Sequence, residues 1–205
     1  MRPKWFPDWT GETIVVVASG PSAAAAPLGL GRGRARFIAI NDSWRLCPWA
    51  DILFAGDYKW WELHQGCPEF LGLRVSIDRR ACEFSDWDIC RLRGYRADQR
   101  ISFDAGIVGG SNSGLNALNL AVQLVPSKVL LVGFDMRLDA GIHWHGLHPP
   151  ETMKNPTENL VGKWRKAMDN AAAPIAATGI RVFNCSETSN LKRYPKLEFA
   201  EAIDA

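Results

Sequence analysis

The sequence predicts an α/β fold: a mostly parallel sheet with helices on both faces, forming a single domain over residues 1 to 205 with its core at about 13 to 186. Two observations predict it. Short β-branched apolar runs alternate with segments of helical spacing, and the runs carry little polar alternation, as strands buried on both faces do. A chain of 205 residues also suits one core that buries roughly 70% of its unfolded surface.

The elements follow in order. "TIVVVASG" (13 to 20) reads as a buried strand running into a Ser-Gly-Pro-Ser turn. "ARFIAIND" (35 to 42) and "ADILFAGD" (50 to 57) repeat the pattern, so three strands deliver small or polar residues at their C-terminal ends, where open parallel sheets bind ligands. "LRVSID" (73 to 78) is a fourth strand, and 79 to 106 reads as irregular with one short helix. "GGSNSGLNALNLAVQLVP" (109 to 126) is a glycine-rich turn opening a helix that Pro126 ends. "KVLLVGFDM" (128 to 136) is a strand ending in Asp135, and "GIHWHGLH" follows it directly. Residues 156 to 179 read as a helix capped by Thr157, which Pro174 is expected to kink or divide, and "IRVFNCS" (180 to 186) is a last strand.

Composition narrows the function. With 24 basic and 22 acidic side chains the formal charge is +2, which lacks the broad positive field of duplex-binding proteins. "GRGRAR" (31 to 36) and "RLRGYRADQR" (91 to 100) read as solvated surface. The sequence shows no apolar run of membrane-spanning length, and its first residues lack the apolar centre of a signal peptide, so a cytoplasmic protein is expected. Cysteines 47, 67, 82, 90 and 185 form no CxxC pair and are expected to be reduced and buried or incidental. The adjacent Trp60 and Trp61 are hard to seat in one core; an exposed tryptophan there would form an acceptor platform or a homo-oligomer contact.

Several residues have the chemistry of a nucleotide site. Gly20, Pro21 and Ser22 let a phosphate or ribose approach backbone N–H groups, or simply turn the chain. The G-x-G-x-x-G and G-x-x-x-x-G-K-[ST] fingerprints are both absent. Gly110 and Gly114 permit close approach at a helix start, where Asn112 and Ser113 either bind an anion or cap the helix. Asp42, Asp57 and Asp135 stand at strand ends, and a metal-bound diphosphate would draw on one or two of them. His143 and His145 alternate, and on an extended segment they would point the same way. No cysteine neighbours them and no H-E-x-x-H is present, so no metal is assigned to them. A general base or a loop-satisfying role are the other readings.

Taken together, "VVVASGPSA", "FIAINDSW", "ADILFAGD", "GGSNSGLNALNLAVQL", "KVLLVGFDM" and "HWHGLH" resemble a phage and prophage group. That group lies near the family of archaeal 6-hydroxymethylpterin diphosphokinases and motility-associated Maf glycosyltransferases. The motif order is also similar to that of bacterial CMP-sialic acid sialyltransferases, although the chain is shorter and lacks an evident match to their donor-site tyrosines. The resemblance implies a Rossmann-like domain in which Gly20, Pro21 and Ser22 contact phosphate or ribose, Asn41 reaches the nucleotide, and Ser113 and Gly114 line its pocket. It also implies a histidine base at His143 or His145.

Three functions are therefore expected in turn. The first is a nucleotide-sugar-dependent glycosyltransferase with a histidine base acting on a glycan or a modified nucleobase. The second is an ATP-dependent diphosphokinase-like enzyme acting on a small hydroxymethyl compound, with magnesium on Asp57 and Asp135. The third is a non-catalytic nucleotide-binding or phage-assembly module.

Overall fold

The computed structural model describes residues 2–95, 100–110, 112–149 and 151–205. Strands β1 (Thr13–Val17), β2 (Arg36–Ile40), β3 (Ile52–Phe54), β4 (Leu73–Ser76) and β5 (Ile89–Arg91) come first; β6 (Arg93–Tyr95) and β7 (Ile107–Gly109) follow, then β8 (Lys128–Val132) and β9 (Arg181–Asn184). The main sheet has seven strands in the order β5-β4-β3-β2-β1-β8-β9, and every pairing in it is parallel. β6 and β7 make a separate parallel pair.

Alternation along each strand builds the two faces, since successive side chains point to opposite sides. Ile14, Val16, Ile38, Ile40, Val129 and Leu131 bury against α3 (Ser113–Gln123) and α4 (Glu158–Ala176). Val15, Val17, Phe37, Ala39, Leu130 and Val132 bury on the other side, under α1 (Tyr58–Leu63), α2 (Arg79–Glu83) and α5 (Phe199–Asp204). The chain is thus an α/β protein of Rossmann-like form, with helices on both faces of the sheet. Among the described residues no helix is long and apolar enough to cross a membrane.

The structure corrects three expectations. Pro174 lies inside α4 without dividing it, because the helix ends two residues later and Pro174 removes only one bond of its last turn. Trp60 and Trp61 are both fully buried in one cluster, so they form no exposed platform. Their rings meet edge to face at 5.0 Å, and their indole N–H groups donate to Asp42 Oδ2 (3.1 Å) and to the Ala55 carbonyl (3.0 Å), which removes the cost of burying them. The stretch from 79 to 106 holds α2, β5 and β6 rather than one short helix.

Other expectations are met. All five cysteines are free, and burial pushes the Cys47, Cys82 and Cys185 thiols up to about 12, too high for a nucleophile at neutral pH. Within "GRGRAR", Arg34 pairs with Asp204 and Arg36 with Glu12 at 2.6 Å, so the run is an ion-paired surface. Residues 96–99 of the second basic stretch lie outside the described residues.

Candidate functional site

The sheet order places a topological switch between β1 and β8: the chain winds from β1 toward β5 on one side and from β8 to β9 on the other. Loops diverge at such a point and leave a crevice at the strands' C-terminal ends. A cleft of about 280 Å³ occupies it, close to the lower bound of small-molecule sites at about 300 Å³.

Of the residues singled out from the sequence, Gly20, Asn41, Asp57, Asn112, Ser113, Gly114, Asp135 and His143 line this cleft. They come from six separate segments between positions 20 and 143. Pro21, Ser22, Gly110 and His145 do not line it. Pro21 begins a 3-10 turn (Pro21–Ala25) and faces Gly141, while Gly110 takes φ +106° and turns the chain above Leu115. Ser22 acts from behind: its N–H donates to Asp135 Oδ2 at 2.9 Å and its hydroxyl donates to Oδ1. The Asp135 carboxylate therefore ties the turn after β1 to the end of β8.

Gly20 is required where these two strand ends meet. Its N–H donates to the Gly133 carbonyl at 2.9 Å, and a Cβ on Gly20 would stand 2.5 Å from that same oxygen. Asn41 and Met136, both at the cleft, adopt left-handed backbone (φ 51° for each). Asparagine tolerates this conformation, but it is an uncommon one for methionine. Asn112 caps α3 by accepting from the Leu115 N–H at 2.8 Å, so the capping reading holds for its oxygen. Its Nδ2 and the Trp164 Nε1 border the cleft as enclosed donors without a hydrogen-bond partner among the described residues. Ser111 lies outside the described residues.

The histidine segment is not extended. The Gly146 N–H donates to the His143 carbonyl at 3.0 Å, closing a turn, and Gly141 and Gly146 take φ values of 114° and 89°. The turn separates the two imidazoles: His143 lines the cleft and His145 does not, although their rings stack at 5.0 Å and 13°. His148, three residues on, does line the cleft, with its ring 4.8 Å from His143. Asn155 clamps it, accepting from the His148 N–H and donating to the His148 carbonyl, each at 2.9 Å.

His143 Nδ1 shares a hydrogen bond of 2.9 Å with Ser19 Oγ, and the Trp144 N–H donates to the Ser19 carbonyl at 2.9 Å. The segment is thus fastened to the end of β1. The fourth histidine joins from α1's end: His64 Nε2 stands 3.5 Å from Asp42 Oδ1, near enough to His148 for their charges to interact. Burial, and then His145 and His148, push the His143 imidazole down to about 4. Burial also lowers His145 and His64. At neutral pH these rings are therefore uncharged, and His143 carries one N–H and one lone pair; with Nδ1–H donated to Ser19 Oγ the lone pair is on Nε2.

The structure adds Ser19, His64, Arg137, Lys154 and Trp164 to the residues the sequence points to. Of these, Ser19, Arg137, Lys154 and Trp164 line the cleft. Ser19 had a signal in its place beside Gly20, whereas Trp164 is one position on an amphipathic helix. Among the described residues no three histidine, cysteine, aspartate or glutamate side chains are arranged to hold a metal ion. Compared with protein-family models, with curated proteins and with solved structures, the chain matches none.

Proposed function

We propose that the protein is a nucleotide-sugar-dependent glycosyltransferase in which His143 takes the proton of an acceptor hydroxyl. One observation carries the reading: an uncharged imidazole, fixed through Nδ1 to Ser19, lines the cleft at the sheet's switch point. Nε2 is the nitrogen left for a ligand. As the acceptor oxygen bonds to the anomeric carbon, the bond from that carbon to the phosphate oxygen breaks. The acceptor proton passes to His143, and the electron pair leaves with the nucleotide phosphate. The first turn of α3 supplies backbone N–H groups for that charge, while the Gly20 turn, whose own N–H groups are engaged with Gly133 and Asp135, leaves room for the phosphate to approach. An imidazole with a pKa near 4 is a weak base, but a phosphate bound beside it favours the charged form and moves it toward neutrality.

The diphosphokinase reading is less well supported, since the Asp135 carboxylate it needs already accepts both hydrogen bonds from Ser22. A thermal-shift panel tests the choice. CMP, UDP or one of their sugars should raise the melting temperature with a chelator present. His143→Ala should keep that shift and lower turnover by roughly 10²–10⁴-fold. A flat panel overturns the proposal, as does protection by ATP with magnesium alone.

A further inference from the structure

All four histidines of the chain gather on one side of the cleft, yet only His143 and His148 line it. His145 does not line the cleft, while its ring lies against both of the others, 5.0 Å from His143 and 5.2 Å from His148. The ring planes of His143 and His145 differ by only 13°. Trp144 between them is pinned at both ends, its N–H to the Ser19 carbonyl and its Nε1 to Ser43 Oγ at 3.4 Å. The stack is therefore built from the backbone outward and does not depend on a ligand.

We infer that His145 is a positioning residue for His143: its stacked ring braces the imidazole against Ser19 from outside the cleft. The inference rests on the reading of His143 as the base. Like charges a few ångströms apart cannot both form without a large cost, so a second imidazole in contact disfavours protonation of the first. The charged and titratable groups around His143 are few. His145 and His148 oppose its protonation, buried Asp42 favours it, and Ser19 bonds to it. Arg45 faces His145, and Asp57, Asp135, Arg137 and Lys154 share the cleft. Asp42 is itself engaged, accepting from Trp60 and standing beside His64 and Arg45. Burial is the largest influence on His143, and the imidazoles on either side add to it.

With only four histidines, NMR titration of the imidazole carbon-bound protons can be assigned by single substitutions and needs no substrate. In the unaltered protein His143 should titrate near 4. In His145→Gln its midpoint should rise by roughly half a unit or more toward the ordinary value of about 6.5. His145→Phe keeps a ring face without a charge. It should raise the midpoint likewise while leaving the Nδ1 signature of the Ser19 bond in place, which His145→Gln should weaken. Far-UV circular dichroism accompanies each variant, and His145→Phe serves if His145→Gln fails to fold. A His143 midpoint unchanged in both variants overturns the inference. A flat nucleotide panel with the midpoint shifts intact would instead sink the transferase reading and leave the coupling standing.

Discussion

Gly20 shows how one missing Cβ shapes the cleft. The ends of β1 and β8 approach so closely there that a methyl group would meet both the Gly133 carbonyl and the Asp135 carboxylate. Gly20→Ala should lower stability by roughly 1–3 kcal/mol through overpacking. It should also abolish any ligand-dependent thermal shift, because the added methyl displaces the Asp135 carboxylate and its Ser22 contact, which shape that end of the cleft. A variant with unaltered melting temperature and shift would refute this account of the turn. At this scale much was legible: small and polar residues after apolar runs pointed to Gly20, Asn41, Asp57, Asn112, Ser113, Gly114 and Asp135, all at the cleft. The choice between His143 and His145 was not legible, since period-2 reasoning assumes an extended chain and the segment turns at Gly146.

At the scale of elements, α5 has six residues, too few to persist without tertiary support. Lys128, buried at the start of β8, supplies part of that support. Its Nζ donates to the Ala202 and Ile203 carbonyls at 2.7 and 3.2 Å, and burial lowers its pKa. Lys128→Met should cost about 1–3 kcal/mol, the penalty for stranding buried acceptors. It should speed amide exchange in residues 199–204 and leave the cleft's ligand response unchanged; an unaltered urea midpoint with unaltered exchange would show that the lysine does not hold α5. The long apolar strands β1, β2 and β8 could be read directly from sequence, but β5, β6 and β7 could not. Each has three residues, and the stretch before β7 is fastened by side chains of a later helix. Asn119 on α3 accepts from the Ser102 and Gly109 N–H groups at 2.9 and 3.1 Å, and Gln123 donates to the Ile107 carbonyl at 2.6 Å. No local pattern announces such support.

The whole molecule's stability should depend on pH through the histidine cluster. His143 falls from 6.5 to about 4 on folding. Between those values the unfolded chain binds a proton that the folded chain does not, so stability rises with pH across that window and is lost as pH falls through it. His145 and His64 act in the same direction, also from 6.5 downward, whereas the lowered carboxylates Asp8, Asp78 and Asp139 act only below about 3.8. The urea midpoint should therefore drop from pH 7 to pH 4 with a constant m-value, and His143→Gln should flatten that drop. A midpoint independent of pH across the window would contradict the burial of neutral imidazoles. By itself, the sequence determined the α/β class, the parallel sheet and the strand ends at which polar residues emerge. These follow from local apolar runs and turn chemistry. Only the tertiary structure decided that Trp60 and Trp61 are both core, that His64 joins three histidines far along the chain, and that His143 rather than His145 faces the cleft. Those outcomes depend on hydrogen bonds and packing between residues distant in sequence, which no periodicity records.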